Sequence, residues 1–242
     1  MLSTGREVLL DTSLREKLIY GHPDYRKWVT AVEVRSVYFE QIGRANTEAT
    51  LALAKTRALE LGINTIVVAT SQGDTGARAV EVFKGMNVVV VSQVHGFREP
   101  NKSTMTPENR ALILAGGATL VTSAHIFGGM GRAVKRKFNT TMFDEIVAQT
   151  LRIFGQGIKV VAECAAMAAD AGTIRTDEDV IVVSGTGRGA DTAAVVRAAN
   201  THNFFDMQIK EIICKPRLDT PLQAEQGGQA AVTSAAQRPH HS

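Results

Sequence analysis

Four short apolar runs, each followed by a more polar stretch, set the architecture of this chain. They are INTIVVAT (63–70), NVVVVSQ (87–93), ATLVTS (118–123) and DVIVVSG (179–185). They are too short for buried helices and apolar at successive rather than alternate positions. A strand with that pattern is covered on both faces, as in a parallel sheet inside an α/β sandwich. The intervening segments fit this. NTEATLALAKTRALELG (46–62) opens with capping residues and ends at glycine. TGARAVEVFKG (75–85) closes on Gly85, and TPENRALILAGG (106–117) has proline in its first turn. Residues 141–172 read as helix broken near Gly155 and Gly157, and ADTAAVVRAAN (190–200) reads as helix. MQIKEIICKP (207–216) alternates as an edge strand does, and SVYFEQI (36–42) is a further β-rich run without an evident place in the sheet.

The 242 residues carry a formal charge of +3, and the basic residues are dispersed apart from GRAVKRKF (131–138). That segment lacks interleaved aromatic residues, which argues for a solvated or phosphate-facing surface and against a nucleic-acid groove. Cys164 and Cys214 are far apart in apolar contexts, which fits a reducing compartment without a disulfide framework or a cysteine-ligated metal. No apolar run approaches the roughly 20 residues that cross a bilayer. The opening MLSTGREVLLDTSLREKL lacks a secretory core. The expectation is a cytoplasmic protein with no membrane and no nucleic-acid partner. Residues 1–217 are expected to form one α/β domain, with 1–35 a lead-in around Trp28. Residues 218–242, rich in Gln, Ala and Gly, are expected to be a disordered tail. The helix at 143–172, apolar on more than one face, predicts a homo-oligomer formed through it or through an edge strand.

Two of the strands end in similar turns. VVATSQGDTGARAVEV (67–82) supplies Thr70, Ser71, Gly73, Thr75 and Gly76 after its strand. VVSGTGRGADTAAVV (182–196) supplies Ser184, Gly185, Thr186, Gly187, Gly189 and Thr192. Small hydroxyls and flexible backbone at a helix N-terminus favour an anion, through exposed N–H groups and the helix dipole. Arg78 and Arg188 are expected as a charged clamp. Each turn alone is an ordinary chain reversal; SGTGRG is neither a full dinucleotide fingerprint nor a P-loop. Together they point to a phosphorylated small molecule.

These loops resemble the C-terminal domain of pyruvate kinase. TIVVATSQGDTGARA is similar to that domain's strand and T-x-S-G-R-[ST]-A phosphate loop, lengthened around Asp74 and Thr75. DVIVVSGTG is similar to its final parallel strand and glycine turn. A small archaeal and bacterial family with this domain's fold is a closer likeness, through VYFEQIGRANTEATL, FGQGIKVVAECAAMAADAG, GTGRGADTA and EIICKPR, over residues 36–217. The resemblance implies a three-layer αβα sandwich with five core strands in order 3-2-1-4-5, the last antiparallel. Taken with the strands above and 207–214, it puts both loops at the point where the order reverses, where ligands of open α/β sheets sit. It further implies flavin mononucleotide (FMN) as the ligand. Pyruvate kinase activity is not implied, because its active site lies on a barrel, which alone takes about 250 residues.

Other residues carry two readings. Gly43, Asn46 and Thr47 form a third wall of the crevice, or Asn46 is an ordinary N-cap. His95 and His125 follow strand ends and serve as general bases or merely hold loops. The glycine-rich stretch 128–131 with its basic follow-on reads as a lid. Gln156, Lys159 and Glu163 follow the glycine break and face the ligand, or Lys159 and Glu163 are a surface ion pair at i, i+4. Asp191 caps its own helix or meets a ligand hydroxyl. The three functions compatible with this pattern are a phosphate-ligand binding protein, an enzyme on a phosphorylated metabolite using His95, His125 or Glu163, and a regulatory effector module.

Overall fold

The computed structural model describes residues 32–217. The lead-in around Trp28 and the tail at 218–242 lie outside the described residues. The chain divides after Arg35, and the fold described here belongs to the unit that begins at Ser36.

The first strand, β1 (Val37–Phe39), leads through a single 3-10 turn into helix α1 (Thr47–Leu61). Three strand–helix repeats follow: β2 (Thr65–Thr70) with α2 (Asp74–Val82), β3 (Asn87–Ser92) with α3 (Pro107–Ala115), and β4 (Thr119–Thr122) with α4 (Met130–Phe138). Helices α5 (Phe143–Arg152) and α6 (Gln156–Asp170) come next, then β5 (Asp179–Ser184), β6 (Thr192–Arg197) and β7 (Gln208–Pro216). The break in the long helical segment falls at Gly155, whose φ of 119° only glycine adopts readily. Helix α3 starts where proline and its cap predict it, with the Thr106 hydroxyl accepting the Asn109 N–H.

All seven strands form one sheet in the order β1-β7-β6-β5-β2-β3-β4. β2 pairs in parallel with both β3 and β5, β4 extends β3 in parallel, and β6 runs antiparallel to both its neighbours. The sub-order β4-β3-β2-β5-β6 is therefore 3-2-1-4-5 with its last strand reversed, as expected. The strand that fills the last position is not the expected one. Residues 192–197, expected as helix, form β6, and 207–214 lie one strand further out as β7, parallel to β5. The expected crossover helix is thus a hairpin partner. Alanine favours helix by propensity, but every residue of TAAVV is buried here, and Val195 and Val196 fit a strand covered on both faces. β1 pairs in parallel with β7, Val37 opposite Cys214, at the sheet edge.

Successive residues of β2, β3 and β5 enter opposite cores. Ile66, Val68, Val88, Val90, Ile181 and Val183 pack with Leu51, Ala54 and Ala58 of α1, Phe83 and Ile113. Val67, Val89, Val91, Val180 and Val182 pack on the other face against Val161, Ala165, Met167 and Ala168 of α6. This is the alternation that makes a doubly covered strand apolar at every position. Among the described residues no helix is long and apolar enough to cross a membrane.

Candidate functional site

The chain order diverges between β2 and β5, which leaves an opening outside their carboxyl ends. A cleft lies there. The first loop presents Thr70, Ser71 and Thr75 to it, and the second presents Gly185, Gly187 and Gly189. Helix α6 contributes Gln156, Lys159 and Glu163. The three therefore do line the cleft. Lys159 and Glu163 are also an ion pair, but a buried one: Lys159 Nζ lies 2.5 Å from Glu163 Oε2, with the side chains 9% and 6% exposed.

The α2 end of the cleft carries hydrogen-bond donors that the helix leaves open. The first N–H groups of a helix have no intrahelical acceptor, and those of α2 begin at Asp74 beside the hydroxyls of Ser71 and Thr75. Thr70 Oγ1 accepts the N–H of Gly73 at 3.1 Å, which leaves its hydroxyl hydrogen to donate. Gly73 and Gly76 are placed by packing. A Cβ on Gly73 would sit 2.5 Å from the Asn109 side chain, and one on Gly76 would sit 2.9 Å from Val90 and Ile113.

The second loop joins two antiparallel strands, so no helix dipole points from it, contrary to expectation. Asp191 organises it. Its carboxylate, fully buried, accepts the N–H groups of Gly43 at 2.7 Å and Thr186 at 3.1 Å and the Thr192 hydroxyl at 2.7 Å. Asp191 is neither a helix cap nor a group open to the cleft. Ser184 Oγ donates to the Gly157 carbonyl at 2.8 Å, joining the loop to α6. Thr47 Oγ1 accepts from Ala190 N–H at 3.1 Å. A Cβ on Gly189, at φ 77°, would meet Arg44 Cα at 2.5 Å. Gly43 and Thr47 thus buttress the loop from behind rather than forming a wall of the cleft. Asn46 makes no side-chain cap; its amide donates to the Gln41 carbonyl at 2.7 Å.

Neither arginine expected as a clamp lines the cleft. Arg78 is exposed and bonded to Glu48 and Glu81 at 2.8 and 2.6 Å, and it holds the Glu48 carboxyl below its usual range. Arg188 is exposed and reaches Asp74 at 3.4 Å. The cations in the cleft are Lys159, Arg132 of α4 and Arg152 of α5. The basic run 131–138 is expected as a solvated or phosphate-facing surface without a place in the cleft, and Arg152 carries no motif. The one hint to Arg132 was the glycine-rich, lid-like stretch before it.

His95 is exposed and stands apart from the cleft lining, whereas His125 lines it. Its Nε2 accepts the Val94 N–H at 3.3 Å, so in the neutral ring the proton is on Nδ1, which faces Glu163 Oε1 at 4.0 Å. Burial pushes its pKa below the ordinary value; the Glu163 carboxylate opposes this, and Lys159 and Arg132 reinforce it. Nε2, the basic nitrogen of that tautomer, is taken by the Val94 N–H, and Nδ1 lies beyond hydrogen-bond distance of Glu163, so the ring holds its loop rather than acting as a free base. Phe97 stacks on His125 with centroids 5.2 Å apart, and Arg132 lies 5.0 Å over Phe97. Glu163 is occupied as well, since its Oε1 accepts the Phe127 N–H at 3.3 Å. Gln93 also lines the cleft, and its Oε1 is buried with no hydrogen-bond partner among the described residues.

An open sheet covered by helices on both faces, with a cleft at its switch point, defines an α/β domain. The family model of the pyruvate kinase alpha/beta domain matches residues 48–196. The chain belongs to that family. The match runs from the first turn of α1 to the end of β6, so it takes in the 3-2-1-4-5 strands and excludes β1 and β7.

Proposed function

We propose that the domain binds a phosphorylated small molecule in this cleft, with the phosphate at the α2 N-terminus. The carrying observation is that Thr70, Ser71 and Thr75, the last of these in the first turn of α2, line the cleft together with Gly185, Gly187 and Gly189 of the second loop. An anion at that position satisfies donors that the helix itself leaves open. The cations Lys159, Arg132 and Arg152 outnumber the single lining carboxylate, Glu163, which further supports an anionic ligand. Binding rather than turnover is the reading the side chains favour, because His125 and Glu163 are both engaged by the protein.

FMN is the compound to try first. It has one phosphate, a hydroxyl-bearing chain and a ring suited to the apolar part of the lining, Val91, Phe97 and Met167. The test is the absorbance spectrum of the purified protein, followed by thermal shift with added FMN. A flavin band near ~450 nm, or stabilisation by FMN that Ser71→Asp abolishes, supports this reading. A colourless protein that neither takes up FMN nor is stabilised by it removes the flavin. Phosphorylated metabolites that stabilise the wild type but not Ser71→Asp would then keep the phosphate reading.

We also propose that the chain forms a homo-oligomer through α5. Phe143, Ile146 and Ile153 on or beside it are 76%, 59% and 79% exposed, whereas the apolar surplus of α6 is buried.

A further inference from the structure

We propose that the cleft holds a second anion subsite, formed by Arg132 and Arg152, so that its ligand carries an acidic or electron-rich oxygen group away from its phosphate. This rests on the reading that the cleft takes a phosphorylated ligand. The described residues include four half-buried arginines: Arg57, Arg132, Arg152 and Arg197. Arg57 is bonded to Glu211 at 2.8 Å and Arg197 to Asp179 at 2.6 Å. Among the described residues Arg132 and Arg152 have no carboxylate within salt-bridge distance, and both line the cleft. A half-buried cation is costly to leave without a counter-charge.

Both guanidinium groups are held in place. Arg132 lies over Phe97, and its Nη2 packs so close to Gly128 that a Cβ there would approach within 2.8 Å. Arg152 Nε donates to Gln156 Oε1 at 2.6 Å, which leaves its two terminal nitrogens to donate elsewhere. The remaining acid of the cleft cannot serve them, because Glu163 is taken by Lys159. Guanidinium forks recognise paired oxygens. The ligand class is therefore a phosphorylated compound with a carboxylate, or with an oxygen-bearing ring edge such as a flavin dione.

The test is a titration of the ¹⁵N-labelled protein with inorganic phosphate, following the amides of residues 74–76 and the Nε–H signals of Arg132 and Arg152. Two saturable responses are expected. Arg132→Gln and Arg152→Gln, made singly, should weaken the arginine-end response at least tenfold and leave that at 74–76 within about twofold. The wild-type Nε–H response supports the subsite even if a variant fails to fold. A response confined to 74–76 and indifferent to both variants overturns the subsite and leaves the phosphate reading standing. A response at the arginines alone overturns the α2 phosphate placement and keeps the subsite. No response at either overturns both. With the subsite established, FMN and a phosphorylated carboxylic acid, titrated in turn, identify which oxygen group fills it.

Discussion

Asp191 accepts the backbone N–H of Gly43 at 2.7 Å across 148 residues of sequence. The same oxygen takes the Thr186 N–H, so one buried carboxylate ties the segment before α1 to the loop that walls the cleft. Asp191→Ala leaves those donors buried and unpaired, and the expected loss is about 2–4 kcal/mol. Asp191→Asn keeps one acceptor oxygen and should lose less. Urea unfolding of the three proteins checks this. Equal stabilities would show that the tie is not structural.

The Lys159–Glu163 pair stands beside the cleft and is nearly sealed from water. Removing one partner leaves an uncompensated buried charge, so Lys159→Met or Glu163→Gln should each cost about 3–5 kcal/mol. Changing both to apolar residues of similar size should recover much of that loss. A double-mutant cycle measures the coupling. Additive losses would mean that the two charges act independently.

His125 predicts a dependence of stability on pH. Its folded pKa lies below the ordinary value because it is buried. Glu163, Lys159 and Arg132 are the charged groups that face it. With the folded pKa depressed, the unfolded chain binds the proton first. Stability is then full above the unfolded value of about 6.5 and declines as pH falls from there towards the folded value. Melting temperatures between pH 8 and pH 5 should show this slope in the wild type. His125→Asn retains an acceptor for Val94 and should reduce the slope. An unchanged slope would assign it to other groups.

Self-association through α5 predicts a sedimentation mass of at least two chains. Ile146→Glu and Ile153→Glu should shift it towards one chain without lowering the melting temperature of the monomer, since both side chains are exposed. A wild type that sediments as one chain at all concentrations would rule the interface out.

Much of the sheet was legible because its strands are covered on both faces, and valine runs such as NVVVVS have few other uses. β6 was misread because Ala193 and Ala194 look helical when taken alone. They are small because they enter opposite cores, one on each face of the sheet, and only the third dimension reveals that. At the cleft, Gln156, Lys159 and Glu163 were readable from the glycine break ahead of them. Arg78 and Arg188 belong to the right segments, yet both are exposed and pair with carboxylates distant in sequence, Glu48 and Asp74. Arg132 and Arg152 come from separate helices, and no spacing in the chain relates them to the two loops.

The pairing of β1 with β7 sets an order of assembly. Val37 meets Cys214, so the first of the described strands to leave the ribosome waits for the last of them to pair with it. At a synthesis rate of roughly 5–20 residues per second the wait is roughly ten to thirty-five seconds. The strands matched by the family model can close their own sheet in that interval. The outer seam then becomes a late check that the whole unit has been made.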